Sequence, residues 1–138
     1  MEDFGRLLKI SANQMGRRFD QFARQYELTG TQMAIMDYLN QHKDKEILQR
    51  DIEHEFNIQR STATVLLQRM EKRNFIRRKA SVDDARQKSV QLTQHAKELE
   101  KIIANYMREQ QEQLEAEFSA SELELLSRLL KNLVRFEN

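Results

Sequence analysis

The chain has 138 residues, no cysteine, no proline and three glycines, with 39% hydrophobic and 33% charged residues; this suits one helix-rich domain and excludes disulfides, thiolate metal sites and thiol redox chemistry. The net charge of +1 hides an asymmetry: residues 1–58 carry eight Lys/Arg against ten Asp/Glu, residues 59–93 nine against three (net +6), and residues 94–138 six against nine. A basic centre between acidic ends fits a surface that faces a polyanion, the bland alternative being a solvated face.

The first helix is predicted from Phe4 to about Tyr26, because Met15, Phe19, Phe22 and Tyr26 fall at steps of four, three and four. Thr29 and Gln32 then have the spacing of a capping box, with Leu28 and Met33 at the positions of a hydrophobic staple. A second helix therefore starts at Thr29 and buries Met33, Ile35, Met36 and Leu39. His42 to Glu46 reads as a polar loop, and Ile47 and Leu48 as a short strand.

Gln49 to Phe56 is a short helix with Ile52 and Phe56 inward, stopped by Asn57, since Asn tolerates the left-handed backbone that ends many helices. Arg60 to about Arg73 is a longer helix with Ala63, Leu66, Leu67 and Met70 inward, stopped in the same way by Asn74. Phe75 to Lys79 and Lys88 to Leu92 alternate as antiparallel strands around the charged tip ASVDDARQ. This order is that of a winged helix-turn-helix, whose second helix enters the DNA major groove.

A long helix follows from Thr93, its expected cap, toward Phe118, with Leu99, Ile102, Ile103, Tyr106 and Leu114 on its apolar side. Ser119 and Glu122 form a second capping-box pattern, with Phe118 and Leu123 as its staple, so a last helix begins near Ala120. Its apolar arc is too wide for one neighbour. A second copy of the chain is the expected partner, held through Phe4, Leu7 and Leu8 at one end and Leu126, Leu129, Leu130, Leu133 and Phe136 at the other. The expected fold is thus mainly α with a small β-wing, about six helices, dimerised through its N- and C-terminal helices. Residues 1–28 and 94–138 are the dimerisation helices and residues 29–93 the DNA-binding region.

On the second module helix, Arg60, Ser61, Thr62, Thr64, Val65, Gln68 and Arg69 lie off the inward face. Arg suits guanine, Gln suits adenine, Ser and Thr suit base or phosphate, and Val or Thr methyls suit the thymine methyl. Which of them touch bases and which phosphates stays open. At the hairpin tip, Arg86 is placed to enter a minor groove, with Asp84 two residues earlier to hold it. Arg77, Arg78, Lys79 and Lys88 are expected phosphate contacts. His42, His54 and His95 are scattered, and no metal or cofactor is expected. No nucleophile–base pair or phosphate loop suggests an enzyme. No apolar run approaches the ~20 residues of a membrane span, and MEDFGRLLKI lacks a signal core. A cytoplasmic protein without membrane contact is expected.

These residues resemble the MarR family of bacterial regulators. The resemblance is carried by LTxxQ at the second helix, IxxxFxI in the third, STATVLLQRMEKRNFI in the fourth and DDARxKxVxLT in the wing. It implies a homodimeric repressor or activator, with a repressor expected here, that binds an inverted-repeat operator in double-stranded DNA and is released by a small aromatic or anionic effector. It also implies an effector pocket near Met15, Phe19, Phe22, Met36 and Tyr38. Glu53 departs from the small Ala common in the family, Asn57 and Asn74 from Gly, Ser81 from Asp and Val82 from Pro. The alternative is a winged-helix adaptor for protein partners, without specific DNA binding.

Overall fold

The structure, a computed structural model, describes residues 1–135. The helices are α1 (Phe4–Arg24), α2 (Gly30–Gln41), α3 (Gln49–Glu55), α4 (Arg60–Lys72), α5 (Lys97–Ala116) and α6 (Ala120–Arg135). Between α4 and α5 lie β1 (Ile76–Ala80) and β2 (Lys88–Leu92), followed by a 3₁₀ turn at Gln94–Ala96. The chain divides into two compact units, Met1–Ile103 and the residues from Ala104 onward. Among the described residues no helix is long and apolar enough to cross a membrane.

Three helices end in the same way, and local chemistry explains each ending. Glu27, Asn57 and Asn74 have φ of 58°, 50° and 65°. Behind each, two backbone bonds close the helix: Leu28 N to Ala23 O and Glu27 N to Arg24 O, Ile58 N to Glu53 O and Asn57 N to His54 O, Phe75 N to Met70 O and Asn74 N to Glu71 O. These are Schellman closures, in which an apolar residue follows the left-handed one; here those residues are Leu28, Ile58 and Phe75. The two Asn stops match expectation. Glu27 was not anticipated, and it ends α1 at Arg24, short of Tyr26.

The capping box of α2 forms as expected. Thr29 N donates to Gln32 Oε1 at 2.9 Å, and Gln32 N to Thr29 Oγ1 at 3.1 Å. Gly30 lies against α1, its N–H donating to Asp20 Oδ1 at 2.6 Å. Met33, Ile35, Met36, Ile52, Leu67, Met70, Ile76, Val90 and Ile103 are fully buried and form the core of the first unit. Truncation of such a side chain to Ala costs about 2–5 kcal/mol.

The wing pairs Ile76 with Leu92 through Ala80 with Lys88. Ile47 and Leu48 make no separate strand. Instead Leu48 forms a single antiparallel bridge with Ser89, and Val90 N donates to Ile47 O at 2.8 Å. Thr93 was expected to cap the long helix. Its hydroxyl turns back instead and donates to Asn74 O at 2.6 Å, so the 3₁₀ turn precedes α5. In the second unit, Ser119 and Glu122 make the reciprocal bonds of a capping box at 2.8 and 3.2 Å, and α6 starts where expected.

Candidate nucleic-acid interface

Helix α4 turns Ala63, Leu67 and Met70 into the core and leaves Arg60, Ser61, Thr62, Val65, Gln68 and Arg69 exposed, with Thr64 half-buried. The 3.6-residue period thus separates a packing face from a polar, cationic one. No side chain caps its first turn, so free N–H groups there suit an anion.

The wing tip is ordered by its own hydrogen bonds. Arg86 N and Nε donate to Asp84 Oδ1 at 3.0 and 3.2 Å, while the Arg86 side chain stays 90% exposed. Asp84 therefore directs the arginine without covering it. Gln87 N donates to Asp84 O, and Ser81 N to Gln87 O, both at 2.9 Å. Ser81 Oγ donates to Glu46 Oε1 at 2.8 Å, which pins the tip to the loop before α3. Here the Ser at position 81 has a role: an Asp in its place would repel Glu46.

A polar cleft of about 580 Å³ lies between α3, α4 and the wing, and Arg60, Thr64, Arg86 and Lys88 all line it. Arg77, Lys79 and Lys88 are exposed on the strands. Arg78 differs from expectation. Strand alternation turns it inward, where its side chain is 15% exposed and its Nη2 sits 3.2 Å from Glu71 Oε1. Its Nη1 also donates to Gln49 Oε1 at 3.3 Å. Arg78 braces the wing against α3 and α4 and presents no free charge for a phosphate. Gln49 and Glu46 were not singled out by sequence reasoning, because neither carries a motif and both act through partners distant in the chain.

The five effector-pocket candidates do not converge. Met36 is in the core and Met15 is exposed. Phe22 packs on Tyr26 at 5.7 Å. Tyr38 packs on His42 in a tilted arrangement at 4.5 Å and meets Phe56 edge-on at 5.8 Å. Burial, with Glu55 and Asp51 nearby, raises the Tyr38 pKa. Phe19 lines a cavity of about 210 Å³, with Gly16, Asp20, Gly30, Ala34 and Phe56 among its other walls. His42 Nδ1 lies 2.8 Å from Tyr38 O, and His95 stacks on Phe75 at 5.6 Å. Among the described residues no group of three His, Asp or Glu is placed to hold a metal ion.

The expected dimer residues lie on open apolar faces. In the first unit Phe4, Leu7 and Leu8 are exposed on α1. In the second, α6 has no buried residue; Leu129, Leu130 and Leu133 are exposed and Leu126 is half-buried. Phe136 lies outside the described residues.

Residues 26–87 match the profile of the MarR family. The crystal structure of the transcription regulator MarR from Oenococcus oeni PSU-1 is 53% identical, covering 96% of this chain and 99% of its own, with a TM-score of 0.86. The S. aureus MepR–DNA complex has a TM-score of 0.86 at 23% identity over the full length of both chains. S. aureus MepR in its DNA-binding conformation reaches 0.91, also at 23% identity, over 99% of this chain and 100% of its own. No curated protein matches the sequence.

Proposed function

Since this chain belongs to the MarR family of transcription regulators, we propose that it acts as a homodimeric repressor that binds double-stranded DNA at an inverted repeat. The observation that carries this reading is the cleft shared by α4 and the wing. There Arg60, Thr64, Arg86 and Lys88 gather on one side of a single unit. Arg69, Arg77 and Lys79 are also exposed and add positive charge to the same module. In this arrangement α4 reads the major groove, its first-turn N–H groups and the strand cations hold phosphates, and Arg86 enters the adjacent minor groove. MepR, which shares the fold, has been crystallised with DNA, and this supports the docking mode.

The second copy covers the apolar faces of α1 and α6, and the two-fold axis sets half-sites about one helical turn apart. The effector site of this reading is the cavity beside Phe19. Its walls are Phe19, Phe56 and Ala34, and its one acid, Asp20, is already engaged by Gly30 N. A small planar aromatic suits it. Bound there, an effector shifts the dimer toward a spacing of recognition helices that no longer fits the operator.

Gel shifts on the protein's own promoter region test the proposal. Wild type is expected to shift the fragment, with affinity falling steeply as salt rises. Arg86→Ala should weaken binding by about tenfold, of the order of one charged contact. Binding indifferent to both salt and Arg86→Ala would refute the interface.

A further inference from the structure

Gln49 opens α3 and is half-buried. Its amide has one carbonyl and two N–H groups, and all three are engaged. Oε1 accepts from Arg78 Nη1 at 3.3 Å, while Nε2 donates to Thr64 Oγ1 at 2.9 Å and to Glu53 Oε2 at 3.3 Å. The partners at the two ends have opposite charge. Arg78 is a pure donor, held in place by Glu71 at 3.2 Å, and ionised Glu53 is a pure acceptor. Turning the amide over would set its oxygen against a carboxylate and its NH₂ against a guanidinium. Only one orientation is compatible with both neighbours.

That orientation decides the chemistry of Thr64, which lines the cleft on the recognition helix. A threonine hydroxyl can donate once and accept twice. Gln49 takes one lone pair from inside the protein, so the hydroxyl proton is left for a partner in the cleft.

We propose that Gln49 is a positioning residue for base reading, which makes Thr64 a hydrogen-bond donor toward the major groove. This rests on the DNA-binding reading above and goes beyond it by assigning a polarity to one position of the operator. The base edge that Thr64 meets carries an acceptor: N7 or O6 of guanine, N7 of adenine or O4 of thymine. Cytosine exposes only its N4 amino donor there and is disfavoured. Glu53 is accounted for in the same way. Its carboxylate receives the second amide proton and, with Arg78, holds the amide the right way round.

The test is selection of binding sites by the full chain from a randomised duplex pool, followed by competition gel shifts with single-base variants. Wild type should prefer an acceptor-bearing base over cytosine at one position per half-site by about three- to tenfold, as expected for one hydrogen bond. Thr64→Val should flatten that position alone, and Thr64→Ser should restore it. Gln49→Glu combined with Glu53→Gln, which replaces the facing carboxylate by an amide able to donate, should reverse it. The new carboxylate still accepts from Arg78 but takes the Thr64 proton, leaving a lone pair toward the cleft and favouring cytosine N4. A purely structural role for Gln49 lowers affinity for every sequence alike and leaves the order of bases unchanged; that result overturns the proposal. So does a Thr64→Val profile identical to wild type, which stays decisive should the double variant fail to fold. A wild type with no sequence preference at all overturns the DNA-binding reading itself, a separate and recognisable failure.

Discussion

The contact between α1 and α2 offers the sharpest stability test, through Gly30→Ala. A Cβ built on Gly30 would lie 2.9 Å from Phe19 Cβ, 2.9 Å from Asp20 Oδ1 and 3.1 Å from Asp20 N. Two of those neighbours are a backbone nitrogen and a Cβ, so relief requires α1 to move away from α2. Overpacking of this kind costs about 1–3 kcal/mol. Moving α1 also stretches the 2.6 Å bond from Gly30 N to the Asp20 carboxylate, and a hydrogen bond to a charged group contributes about 1.5–3 kcal/mol. Alanine returns at most about 1 kcal/mol through its helix propensity. The balance is a loss of about 2–4 kcal/mol. Urea denaturation at fixed protomer concentration measures it, since the proposed dimerisation would make apparent stability depend on concentration. Asp20→Ala in the Gly30→Ala background removes the contact with Oδ1 but also forfeits the bond to Gly30 N and leaves the contacts with Phe19 Cβ and Asp20 N, so it should give no net recovery. A loss under about 0.5 kcal/mol, within the range of an ordinary surface substitution, would refute the close approach.

Other substitutions probe the rest of the fold. Thr29→Ala removes one half of the α2 capping box and should cost about 1 kcal/mol in the same assay. Asn74→Gly keeps the left-handed stop at φ 65° without a Cβ, and thermal denaturation should show it neutral to slightly stabilising, by up to about 1 kcal/mol, whereas Asn74→Val should be clearly destabilising. Leu129→Glu with Leu133→Glu places charges on the open face of α6 and should give a monomer by sedimentation velocity, with loss of operator binding. Burial raises the pKa of Asp37 in the folded chain, so its ionised form opposes folding above that raised value and the penalty fades as pH falls toward the ordinary value of 3.8. Asp37→Asn should therefore stabilise at pH 7, and the gain should shrink on acidification, as followed by urea midpoints across pH.

Local signals in the sequence carried far. The Thr29–Gln32 and Ser119–Glu122 boxes placed two helix starts because both partners of each bond lie within one turn. Asn57 and Asn74 placed two helix ends because few residues accept their backbone. Glu27 performs the same task without a compositional signal; only the apolar Leu28 behind it offered a hint. What escaped the sequence was set by pairs far apart in the chain. Arg78 is chemically indistinguishable from Arg77 until strand alternation and Glu71 turn it inward. Gln49 gains its importance from Arg78 and Thr64, 29 and 15 residues away. The proposed effector pocket was the least legible part, because Met15, Phe22, Met36 and Tyr38 share an apolar character that packing disposes of in four different ways. The resemblance in the wing and recognition helix, by contrast, was specific enough to give the family that the 53% identical relative establishes.

Arg73 gives the molecule a mechanical property. Following the last turn of α4, its guanidinium donates to the carbonyls of Tyr26, at 2.8 Å, and Glu27, and lies 4.8 Å over the Phe75 ring. The end of the recognition helix is thereby hitched to the end of α1 by a charged tie-rod. Sliding one element without the other strips two carbonyls of their donor, so the pair travels as a linkage. The cavity beside Phe19 lies further back along α1, so any displacement of that helix is carried to the far end of α4 through this one guanidinium.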